Sequence, residues 1–191
     1  MDSGAALMRT IKWAGLSMLL VSGTALGSFL PHFVNSSPAG SNLRYNYALV
    51  FATTVGSPAE RLESGDFVTL YDVQGFVSAG APADFTVSVQ NLGVNGFGTS
   101  PTDSPTLPNV TFTYTGTTLT TDNILPGFSL VSSIFFTGVG QFTSEATSNA
   151  NSTDGQPIGQ IGPVRLPQFP EPGSILGLAG VGMLAMLRRR K

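Results

Sequence analysis

The sequence contains no cysteine, which excludes disulfides, thiolate catalysis and any cysteine-ligated metal centre. It contains a single histidine, His32, so a Ser-His-Asp arrangement would depend on one imidazole in a segment that reads as a polar, solvated lead-in. No Gly-x-Ser-x-Gly elbow is present. Charge is scarce: Asp, Glu, Lys and Arg make up 10% of the chain, against roughly 25% in an ordinary soluble domain. What charge exists is unevenly placed. Between Ser28 and Phe169 the only basic residues are Arg44, Arg61 and Arg165, facing nine acidic ones. A mildly acidic middle excludes the electrostatic footprint of a nucleic-acid binder.

Glycine (23), proline (13) and abundant Ser, Thr and Asn take the place of charge in these 191 residues. They are poor helix formers and good turn formers, and 41% apolar residues suffice for a core. Several runs alternate with period two, as half-buried strands do. Leu43, Tyr45, Tyr47, Leu49 and Phe51 alternate with Arg44, Asn46, Ala48 and Val50. Phe67, Thr69, Tyr71 and Val73 share a face opposite Val68, Leu70 and Asp72. Phe85, Val87 and Val89 form a third set, and Val110, Phe112 and Tyr114 a fourth. The apolar run from Phe128 to Thr137 reads as a strand covered on both sides. Ser64-Gly65-Asp66, Gln74-Gly75, Asn95-Gly96 and Asp154-Gly155 mark turns, and Pro101, Pro105 and Pro108 make residues 99–108 a loop.

One-sided alternation predicts antiparallel sheets with one wet face. Two such sheets must pack together to shelter their apolar faces. The expected fold class is therefore all-β, an antiparallel β-sandwich of jelly-roll or immunoglobulin-like topology spanning 41–145. Residues 28–40 read as a polar lead-in and 146–169 as a flexible spacer.

The two ends read as processing segments. Arg9 and Lys12 precede an apolar run from Trp13 to Leu26, and Ala25-Leu26-Gly27 places small residues at the two positions a signal peptidase reads. Residues 1–27 thus predict a signal helix, export through the Sec translocon and cleavage after Gly27. At the other end, Pro170-Glu171-Pro172 precedes Gly173–Leu187, a stretch without charge, and Arg188, Arg189, Arg190 and Lys191 close the chain. Fifteen helical residues span about 22 Å, short of the ~30 Å hydrocarbon core. The basic cluster extends the reach by snorkelling and holds that end on the cytoplasmic side. A single transmembrane helix over 173–187 is expected.

The order Pro-Glu-Pro, apolar helix, basic terminus resembles the PEP-CTERM sorting signal of Gram-negative bacteria over residues 170–191. The resemblance implies recognition by an exosortase, a transpeptidase-like enzyme of the inner membrane. It implies processing near Pro170-Glu171-Pro172, delivery to the cell surface or extracellular matrix, and association with exopolysaccharide and biofilm. Arg44-Tyr45-Asn46-Tyr47, Ser64-Gly65-Asp66-Phe67 and Tyr71-Asp72 resemble the first strands of many such proteins more loosely. A permanent single-pass anchor is the rival reading of the tail.

No catalytic residue, cofactor or metal site is expected. Glu60, Glu63, Asp66 and Asp72 are the candidates for a glycosidase carboxylate pair, set against solvated turn carboxylates. Asn149, Asn151, Thr153 and Asp154-Gly155 resemble a calcium loop, with the glycine one place late and Gln160 where a bidentate acid belongs. Gly180-x-Gly182-x-x-Ala185 matches a dinucleotide loop only nominally, since no strand precedes it inside the apolar tail. A structural, non-catalytic surface protein is the first reading. A carbohydrate-binding module offering Tyr45, Tyr47, Tyr71 and Tyr114 is the alternative.

Overall fold

Where the sequence alternates, the chain extends. The structure, a computed structural model, describes residues 29–51 and 60–169. Its strands are β1 (Phe29–Ala39), β2 (Asn42–Phe51), β3 (Glu60–Arg61), β4 (Phe67–Leu70), β5 (Phe76–Gly80), β6 (Phe85–Gln90), β7 (Asn109–Tyr114), β8 (Asn123–Ser132), β9 (Thr137–Ser148) and β10 (Pro157–Pro167). Among the described residues there is no helix. The expected signal helix of 1–27 and transmembrane helix of 173–187 lie outside them.

All pairings are antiparallel. One sheet runs β1-β2-β8-β5, and the other runs β10-β9-β4-β7-β6 with β3 added against β9. The two sheets share one core. Phe29, Tyr45, Tyr47, Leu49, Phe51, Phe128 and Leu130 come from the first, and Val68, Leu70, Phe85, Val110, Phe112, Tyr114, Phe142, Val164 and Leu166 from the second. Phe128 bridges them, its ring 4.7 Å from Phe85 and 5.2 Å from Phe112 between centroids, both edge-to-face. Such pairs add about 0.5–1.5 kcal/mol each to the burial itself. The orders β1-β2-β8 and β10-β9-β4 match strands A-B-E and G-F-C of an immunoglobulin sandwich.

Three expectations are corrected. Residues 28–40 are not a lead-in: Phe29 opens β1, is 1% exposed and stacks on Phe85 at 6.3 Å. Residues 146–169 are not a spacer, because β9 continues to Ser148 and β10 pairs with it from Pro157 to Pro167. Proline obscures both strands in the sequence. Each lies at a sheet edge, where the missing N–H breaks no ladder.

The third correction concerns the wet face. The centre of the larger sheet, β4 with the facing parts of β7 and β9, is dry on both sides, because the chain between β6 and β7 folds back over its outer surface. Phe97 donates its N–H to Glu145 at 2.9 Å, and Thr102 donates to Gln141 at 2.9 Å. Gly159 lies under this loop so closely that a Cβ there would strike the Gly96–Phe97 backbone. Thr69, Thr111 and Thr143 are buried beneath it, and the first two share a 2.9 Å hydrogen bond. Tyr71 is buried here rather than in the shared core, donating its hydroxyl to Val94 O at 2.7 Å.

Candidate functional site

The chain leaves the described fold at Phe169, and the residues around that point form a built structure. β10 ends at Pro167 with Leu166 fully buried, so the exit is anchored from below. Gln168 then donates its N–H to Phe136 O at 3.0 Å. Phe169 donates its N–H to Gln74 Oε1 at 2.7 Å. The Gln168 side chain lies across Gly138, and a Cβ on that glycine would collide with it.

The loop joining β8 to β9 is fastened on its inner side. Buried Tyr45 donates its hydroxyl to Ile134 O at 2.7 Å and to Phe136 O at 3.1 Å. Burial raises the pKa of this phenol, which keeps it a donor. Ser133 donates its N–H to Gly75 O at 2.8 Å, and Ser132 donates its hydroxyl to Gln74 O at 2.7 Å. The Gln74-Gly75 turn, the 133–136 loop and residues 168–169 thus form one hydrogen-bonded end of the domain. Tyr45→Phe removes the donor to a buried carbonyl and is expected to cost about 1–3 kcal/mol, read as a lower urea midpoint at unchanged slope.

Three of the candidate acids, Glu63, Asp66 and Asp72, fasten turns and loops. Glu60 and Asp66 are buried, contrary to the expectation of solvated carboxylates. Asp66 accepts the Glu63 N–H at 2.7 Å and the Thr147 hydroxyl at 3.1 Å, tying the turn before β4 to β9. Glu63 pairs with Arg61 at 2.5 Å. Asp72 accepts the Ser104 N–H at 3.0 Å and holds the covering loop. The nominal calcium loop is occupied by a side-chain cation instead: Arg61 Nη1 donates to Asn149 Oδ1 at 3.2 Å and also to Asp154 Oδ1. His32 lies exposed on edge strand β1, opposite Ala48. Among the described residues, no three His, Asp or Glu side chains group as a metal site.

Burial raises the Asp66 carboxyl to about 6 from 3.8, outweighing its hydrogen bonds. Between these values the folded state holds a proton that the unfolded state has released. Stability therefore falls as pH rises through that window and levels off above about 6. Asp66→Asn, which cannot ionise, is expected to lose that part of the slope, measured as urea midpoints at several pH values on either side of the window.

The four tyrosines of the sugar-platform alternative are 0–3% exposed. They cannot present rings to a ligand without unfolding. The signal in the sequence was correct for their burial, though Tyr71 sits beneath a loop that alternation could not reveal.

The predicted sorting residues, Pro170, Glu171, Pro172, Arg188, Arg189, Arg190 and Lys191, and the cleavage residues Ala25 and Gly27, lie outside the described residues. No curated protein and no solved structure matches the chain. A protein-family comparison does, and it falls on the segment that follows this exit. The chain carries the PEP-CTERM protein-sorting motif across residues 170–191, beginning at the residue after Phe169.

Proposed function

We propose that this chain is a non-catalytic structural protein of the bacterial surface or extracellular matrix, sorted there by an exosortase and associated with exopolysaccharide. The observation that carries the proposal is the PEP-CTERM motif at 170–191, which implies export and an exosortase partner. Its position supports the reading, since the motif follows directly on a domain whose last strand ends at Pro167. The start of β1 at Phe29 supports it too: cleavage after Gly27 would leave all ten described strands intact. The strand order supports an immunoglobulin-like sandwich as the exported unit. The absence of catalysis is supported by the acids, since Glu63, Asp66, Asp72 and Asp154 are all engaged in holding turns and loops.

On this reading the chain crosses the inner membrane through the Sec translocon, loses 1–27 to signal peptidase and is held transiently by 173–187. Exosortase then releases or transfers it. Cells with and without the exosortase are expected to differ in both location and mass. With the enzyme, a shortened chain lies outside; without it, a chain ending in Lys191 stays with the membrane. The same location and mass in both strains would remove the sorting reading. A chain held in the membrane by an intact tail in both would establish the permanent anchor.

A further inference from the structure

Single exposed apolar residues need no explanation, but adjacent large ones do. Phe135, Phe136 and Phe169 are 60%, 58% and 66% exposed. They lie together at the end of the domain from which the sorting tail departs, because Gln168 N–H bonds Phe136 O. Their backbones are fixed from beneath by Tyr45, Gln74 and Gly75, so the rings are displayed by a braced loop. The segments that carry and brace the rings, residues 73–83, 129–144 and 166–169, contain no Asp, Glu, Lys or Arg. The charges beside them are Asp72, which lines a hollow with Val139 and Gln168, and Arg165, opposite Val139.

The length of chain beyond the fold identifies what meets this end. Phe169 is four residues from Gly173, where the uncharged stretch begins. At 3.3–3.6 Å per residue, four residues reach at most about 14 Å. The headgroup region is roughly 5–8 Å thick on each side of the hydrocarbon core. Residues 146–169 are folded rather than a spacer, so nothing lifts the domain away. We propose that Phe135, Phe136 and Phe169 form a lipid-contacting foot that seats the domain on the outer surface of the inner membrane while the tail is inserted. Aromatic rings on segments that carry no charge suit the headgroup–acyl boundary, and a fixed foot presents Pro170-Glu171-Pro172 at a constant height. This inference rests on reading 170–191 as a membrane-inserted tail.

The test uses the full chain in phosphatidylcholine–phosphatidylglycerol vesicles, with and without lipids brominated near the headgroup. Trp13 is replaced by Phe, and a single tryptophan is placed by Phe135→Trp or by Phe97→Trp. Phe97 is anchored to Glu145, eight residues along β9 from Thr137, which is about 26 Å at 3.3 Å per residue. The expected result is a blue-shifted emission that loses intensity in brominated lipid for the tryptophan at 135, and neither change at 97. Protease protection of the tail is read in the same vesicles. A protected tail with a water-like, unquenched tryptophan at 135 overturns the foot and leaves the sorting reading standing. An unprotected tail overturns both. A Phe135→Ser, Phe136→Ser, Phe169→Ser chain that melts normally but is processed less, beside an unquenched tryptophan at 135, assigns the patch to an enzyme contact and also overturns the lipid foot.

Discussion

Changing Pro170, Glu171 and Pro172 together to alanine is expected to abolish the processed form, leaving a membrane-held chain that still ends in Lys191. The three residues follow the described fold, whose last strand ends at Pro167 and in which Phe169 bonds Gln74. The domain's melting temperature should therefore not move. That separation makes the experiment informative, because lost sorting cannot then be ascribed to misfolding and degradation. The physical basis is local. Proline fixes its own φ and drives its predecessor towards extended geometry. Prolines on both sides of Glu171 thus restrict the backbone on either side of one carboxylate. Alanine at all three places removes that restriction and the charge. Immunoblots of membrane and medium fractions, with intact mass of the recovered chain, read the result. A processed chain in the medium at the normal level would show that the tripeptide is not what the enzyme reads.

The sequence revealed the strands that are apolar on one face. Alternation locates β2, β6 and β7 to within a residue or two, since Tyr45, Tyr47, Leu49, Phe51, Phe85, Val110, Phe112 and Tyr114 all turn to the core. It fails where other forces set the composition. β1 carries Pro31 and Pro38, and β10 carries Pro157, Pro163 and Pro167, so each resembles a linker although edge positions tolerate the ring. β9 is covered on both faces only from Phe142 to Ser148, and its buried Thr143, Ser144, Thr147 and Ser148 carry no apolar signal at all. Their burial depends on hydrogen bonds from distant segments, such as Thr147 to Asp66, which spacing cannot predict. The candidate site divides in the same way. The tail motif is visible because its order of residues is local. The exit that precedes it is built from Tyr45, Gln74, Phe136 and Gln168, far apart in sequence and joined only by the fold.

Phe128→Ala is the core substitution expected to cost most, about 3–5 kcal/mol. Phe128 comes from the sheet containing β1 and is 1% exposed, while the rings it meets, Phe85 and Phe112, come from the opposite sheet. Truncation opens a void between two layers that neither backbone can close, since each is held by its own ladder. It also removes two edge-to-face contacts. A domain of this size is stable by only about 5–15 kcal/mol, so the variant should sit near its unfolding threshold. Urea denaturation should show a lower midpoint with an unchanged slope, because the surface exposed on unfolding hardly differs. Phe97→Ala is the matched control: that ring is 64% exposed, and its removal should change stability by no more than about 0.5 kcal/mol. Equal losses for the two substitutions would mean that Phe128 does not join the sheets, and that the shared core described above is not what holds the two layers together.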